Sequence, residues 1–111
     1  MRHRQAPVHH TGEKQTYSAT AYCQRGRTAS GTVTTAGKTV AADPRVLPLG
    51  STIEVSNAGA YSGVYSVQDQ GSAVKGRTID LYIPHLAAAR QFGRRQVLVK
   101  LLSRGEPIVA R

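Results

Sequence analysis

Val67-Gln68-Asp69-Gln70-Gly71-Ser72-Ala73-Val74-Lys75-Gly76-Arg77-Thr78-Ile79-Asp80-Leu81-Tyr82-Ile83 is the stretch on which the fold turns. Around Asp80 the neighbours Ile79, Leu81, Tyr82 and Ile83 are β-branched, aromatic or aliphatic, which predicts a short strand. Alternation puts Ile79, Leu81 and Ile83 on one face and Asp80 with Tyr82 on the other. Aspartate is disfavoured in a strand, so a carboxylate held on this rigid element calls for a reason. Asp69 follows a second strand-like run, 61–68, and precedes Gly71, where a loop must begin. A strand, Gly loop and strand in this order can bring two carboxyl groups near each other. The plainer alternatives stay open at this level: an Asx turn for Asp69, and a structural ion pair with Arg77 or another arginine for Asp80.

Working outward, the 111-residue length fits one small domain with a single core, and 40% hydrophobic residues predict a folded chain. Eleven Gly and five Pro, among many Thr, Val and Ser, favour short strands and tight turns over long helices. Fifteen Lys and Arg against six Asp and Glu give a net charge of +9, which favours a polyanionic partner. Charge does not choose among nucleic acid, anionic lipid and an acidic cell-wall polymer. The few aromatic residues provide little stacking platform, so nucleic acid is not expected as a partner. No apolar run reaches the length of a membrane span, so a soluble chain without stable membrane insertion is expected. The single cysteine, Cys23, allows no intrachain disulfide, and a small apolar packing role is expected for it.

Residues 1–15 carry Arg2, His3, Arg4, His9, His10 and Lys14 with little to bury and read as a disordered basic arm or linker, leaving 16–111 as the domain. Strands are expected over 16–23, 39–42, 51–55, 61–68, 79–83 and 96–102, with shorter pieces at 32–34 and 107–109. Asp43 before Pro44 suits a helix N-cap with proline at the first helical position. The one helix expected, 84–92, collects Leu86, Ala88, Ala89 and Phe92 on one arc, and Gly93 ends it. Six or seven short strands with one helix, in a domain of this size, fit a small closed or nearly closed barrel.

Four stretches stand out together: Thr20-Ala21-Tyr22, Thr28-Ala29-Ser30-Gly31, Ala42 through Asp43-Pro44 to Leu49-Gly50, and Asp69 through Lys75-Gly76 to Ile79-Asp80-Leu81-Tyr82. They resemble the bacterial 3D (three-Asp) domain family, grouped with the double-psi β-barrels of the rare-lipoprotein-A type and the membrane-bound lytic transglycosylase A group. The segment Ala89 to Val97 is similar to the family's helix and closing strand. One departure is Asp69-Gln70-Gly71-Ser72, where the family commonly has Asp-Thr-Gly-Gly, so a hydroxyl beside Asp69 is lost.

The resemblance implies a mainly β chain folded as a small six-stranded double-psi β-barrel with one short helix. It also implies that Asp43, Asp69 and Asp80 converge on one cleft, with Asp80 in the position of the catalytic acid. Tyr22, Thr28, Gly71 and Lys75 are then expected to line the groove for substrate. The implied activity is that of a lytic transglycosylase acting on peptidoglycan glycan strands, cutting between N-acetylmuramic acid and N-acetylglucosamine to leave 1,6-anhydromuramyl ends. No cofactor and no metal is implied. A monomer in the cell envelope, periplasmic or secreted, is expected. The alternative on the same barrel is a non-catalytic glycan-binding module.

Overall fold

The computed structural model describes residues 9–105. Its strands are β1 (Lys14–Tyr22), β2 (Thr39–Ala42), β3 (Thr52–Ser56), β4 (Gly63–Asp69), β5 (Thr78–Tyr82) and β6 (Arg95–Ser103), with one helix, α1 (Leu86–Phe92). They close in the order β1-β5-β2-β4-β3-β6, so every strand is paired on both sides. Pairs β1–β5 and β2–β4 are parallel; the other four are antiparallel. This is the six-stranded barrel with one short helix that the resemblance implies.

Alternation fills the barrel. Ala19, Val40, Ile53, Val55, Val67, Ile79, Leu81, Val97, Val99 and Leu101 point inward and are fully buried. Each large aliphatic member contributes about 1.5–3 kcal/mol of transfer free energy. Helix α1 lies against β1 and buries Ala89 and Phe92, while the Arg95 guanidinium stacks 4.2 Å from the Phe92 ring centre. Gly93 closes the helix at φ 62°, donating to the Ala89 carbonyl, a left-handed position that a side chain would strain.

The structure departs from the sequence reading in several places. Residues 9–15, assigned to a basic arm, pack on the barrel: β1 begins at Lys14, Thr11 bridges Leu101, and His9 is fully buried. His9 Nε2 donates to the Glu13 carbonyl at 2.6 Å, and Nδ1 lies 2.8 Å from the Tyr17 hydroxyl. A histidine with both nitrogens partnered is a core residue, and local polarity gives no sign of this. Residues 1–8 lie outside the described residues, as does the expected edge piece at 107–109. Tyr61 belongs to a 3-10 turn (Gly59–Tyr61) rather than a strand, because the backbone turns at Asn57 and the Ser62 hydroxyl accepts from Ala58 N–H. The expected strand at 32–34 reduces to one bridge, Arg27 to Val33. Asp43-Pro44 opens a single turn, not a helix.

Candidate active site

The site is a row across four strands. In register, Thr20 on β1 faces Asp80 on β5, Asp80 faces Ala41 on β2, and Ala41 faces Asp69 on β4. Residues directly opposite in a ladder share a face, so these four side chains emerge on the same outer side of the barrel. Alanine between the two aspartates keeps the floor low, and ordinary strand spacing puts the aspartate Cα atoms roughly 10 Å apart.

Asp69 reaches this face through an irregularity. Val40 pairs with Val67, but the next residue, Ala41, pairs with Asp69, so one residue of β4 is skipped. Regular alternation after the inward Tyr65 and Val67 would turn Asp69 into the core. The bulge re-aims it onto the cleft. Its Oδ1 accepts from Ala29 N–H at 3.0 Å and Gln70 N–H at 2.9 Å, so the carboxylate pins the 24–34 loop to the end of β4. Asp69 thus accepts backbone N–H groups, as the turn reading expects, but from Gln70 and from Ala29 rather than from the residue two on that closes an Asx turn.

Asp80 is half-buried, and among the described residues its carboxylate has one hydrogen bond, from the Thr20 hydroxyl, which donates to Oδ1 at 2.9 Å. No arginine neutralises it: among the described residues the one ion pair is Arg45 to Asp43, and Arg77 turns away to Gln15. Burial raises the Asp80 carboxyl above its ordinary value, the Thr20 hydroxyl pulls it partly back, and the Asp69 charge adds to the rise. Tyr22 stands beside the pair. Its hydroxyl is buried without a partner among the described residues, and burial, followed by the Asp69 and Asp80 charges, keeps it protonated. The Tyr22 ring packs 5.4 Å from Tyr82, which anchors it.

Asp69, Asp80, Tyr22, Ala41 and Gly71 line one hollow of about 310 Å³, together with Gln24, Arg25 and Arg27. Asp43 is not in it. It lies under the neighbouring hollow, with Lys75 and Arg45, and Gly71 and Val74 form the wall between the two. A Cβ on Gly71 would come 3.3 Å from Val74 Cγ2, so glycine there keeps that wall thin. Asp43 is almost fully buried. Its carboxylate accepts from Arg45 N–H, the Arg45 guanidinium and Gly76 N–H, which ties the turn after β2 to the loop before β5. The guanidinium, opposed by burial and helped by the two backbone donors, holds its pKa down to about 2. Thr28 is also away from the hollow, buried in its own loop between the Ser30 and Thr32 hydroxyls.

A family model described as the 3D domain matches residues 38–103. The chain belongs to the 3D domain family. This 3D domain is 35% identical over 102 residues to "Putative cell wall shaping protein YabE" of Bacillus subtilis (strain 168), covering 84% of this chain and 24% of the relative. It is 34% identical over 96 residues to the cell wall-binding protein YocH of the same organism, covering 79% and 32%. The chain thus spans about a quarter to a third of the curated relatives it matches. MltA from E. coli shares the fold, with a TM-score of 0.61 at 19% identity over 72% of this chain and 28% of its own. The Streptomyces papain inhibitor has a TM-score of 0.61 at 25% identity over 83% of this chain and 96% of its own.

Within this 3D domain, sequence reasoning leaves out Thr20, Ala41, Arg25 and Arg27. Thr20 stands in a quoted motif, yet its role depends on parallel pairing between strands 60 positions apart, which no local pattern carries. Cys23 is partly buried against the core rather than sealed within it.

Proposed function

We propose that this domain acts on peptidoglycan glycan strands as a lytic transglycosylase, with Asp80 as general acid and then base. The supporting observation is a half-buried carboxyl on a rigid strand, raised in pKa, open to a cleft and, among the described residues, paired with no cation. Thr20 donates to Oδ1, which leaves Oδ2 to carry the proton. That proton passes to the glycosidic oxygen as its bond to muramic acid C1 breaks. The carboxylate so formed then takes the proton of the muramyl 6-hydroxyl, whose oxygen bonds to C1 and closes the 1,6-anhydro ring. No water enters, and one acid serves both steps. Ordinary glycosidases instead need a second carboxylate for nucleophile or base. Asp69, occupied by backbone donors, shapes the loop and contributes charge. Tyr22 lines the cleft and meets substrate with its ring, its hydroxyl being buried.

The relatives' names fit this substrate: one is a cell wall shaping protein, the other a cell wall-binding protein. They also fit a location in the envelope or outside the cell, where the domain would work as a monomer. The second name favours a binding-only module on the same cleft as the other reading. Digestion of purified sacculi followed by mass spectrometry of released fragments separates them. Ends in 1,6-anhydromuramic acid are expected. Reducing ends would mean that water attacks, and binding with no release would leave the module reading.

A further inference from the structure

The hollow that holds the two aspartates also carries two arginines. Arg25 and Arg27 both line the hollow that holds Asp69 and Asp80, yet neither forms an ion pair with them among the described residues. Arg27 is anchored, its guanidinium donating to the Gly31 carbonyl at 2.7 Å. Arg25 is exposed and has no hydrogen-bond partner among the described residues. The loop carrying them is stiff. Gly26 N–H donates to the buried Thr34 hydroxyl, Thr34 N–H donates back to the Gly26 carbonyl, and Arg27 bridges Val33. Asp69 fastens the same loop to β4 through Ala29. Two arginines therefore share a hollow with two carboxyl groups without forming an ion pair to them among the described residues. A neutral sugar chain has no use for those cations. A ligand bearing an anion beside the bond to be cut does.

We propose that Arg25 and Arg27 are a specificity site for a carboxylate carried by the glycan substrate, so that the cleft prefers carboxylate-bearing strands to neutral ones. This rests on the peptidoglycan reading of the cleft. Muramic acid provides the anion in two forms: the free carboxylate of its lactyl ether, or the carboxylates of a peptide amide-linked there. Guanidinium suits either, because its planar donor fork matches a carboxylate.

The test is calorimetric titration of the full chain carrying Asp80→Asn, so that ligands stay intact, with four tetrasaccharides: chitotetraose, a peptide-free muramyl glycan, a peptide-bearing one, and the last with its carboxylates amidated. At least one carboxylate-bearing ligand is expected to bind roughly tenfold more tightly than chitotetraose, the lower end for a hydrogen bond to an exposed charged group. Adding Arg25→Gln and Arg27→Gln together brings that ratio close to one, and Arg25→Gln alone lowers it part of the way. Arg25→Lys keeps part of it, and raising salt shrinks it. Preference for the peptide-free glycan assigns the lactyl carboxylate; preference for the peptide-bearing form over its amidated version assigns the peptide. A ratio near one before Arg25 is changed, or one unaffected by Arg25→Gln, overturns the inference and leaves the peptidoglycan reading standing. Failure of every glycan to bind overturns that reading as well.

Discussion

Asp43 and Asp80 lie on two sides of one thin wall and have opposite electrical settings. Asp43 is almost sealed from solvent, but a guanidinium and two backbone N–H groups compensate its charge, and its pKa falls to about 2. Asp80 has one hydroxyl donor among the described residues, and burial raises its pKa. Burial pushes both carboxyl groups upward. At Asp43 the donors outweigh it, and at Asp80 a single hydroxyl does not. Asp43 fastens two loops, and Asp80 is kept available for chemistry.

The largest expected effect is on the Asp80 side. Asp80→Asn keeps the shape and the bond from Thr20 but cannot give or take the proton, so release of muropeptides falls about a hundred- to ten-thousand-fold. A variant that still releases them at near-normal rate would remove Asp80 from the role. On the other side, Asp43→Ala leaves Gly76 N–H and Arg45 N–H without their acceptor and costs about 1–3 kcal/mol in denaturant unfolding. Arg45→Ala costs less, because that side chain is itself 69% exposed and its ion pair is screened by solvent. Equal losses for the two would mean that the ion pair, not the backbone donors, holds the turn.

Stability against pH sharpens the contrast, since the two groups have opposite signs. Asp43 has a folded pKa below the ordinary value of about 3.9. Its contribution is present above that pH and is lost as pH falls toward 2. Asp80 has a raised folded pKa, so its protonated form favours the fold below about pH 3.9. That contribution is lost as pH rises through the folded value. At pH 7, therefore, Asp80→Asn raises the thermal midpoint while Asp43→Asn lowers it. The Asp80 difference disappears in acid. A lowered midpoint for Asp80→Asn at pH 7 would contradict the raised pKa.

The smallest effect belongs to Thr20. Thr20→Val removes the donor that lowers the Asp80 pKa, so the pH optimum of glycan cleavage moves upward and the rate at the optimum changes less than about tenfold. An optimum that stays in place would show that the Thr20 bond does not tune Asp80.

Much of this was legible in the chain. An acid amid Ile79, Leu81 and Tyr82 marks the strand, and the faces read from alternation match the burial of Ile79 and Leu81. The motif around Asp43, Asp69 and Asp80 marks the family. What the sequence hides depends on closure of the barrel. Period-two alternation gives no warning of the bulge that turns Asp69 outward, because one skipped residue reverses every later side chain. Family likeness groups Asp43 with the other two, whereas Arg45, two residues on, is the local sign of a locked carboxylate. His9 looks like part of a polar arm until Tyr17, eight positions on, meets it in the core.

The claim that one carboxyl is kept ready to hold a proton while its neighbour is not is tested most directly by carbon-13 titration of the aspartate side-chain carboxyl groups in the folded protein. The account predicts an Asp80 midpoint above the ordinary aspartate range and an Asp43 midpoint near 2 in the same sample. Asp80 titrating at or below the ordinary value would contradict it and leave the cleft without its general acid.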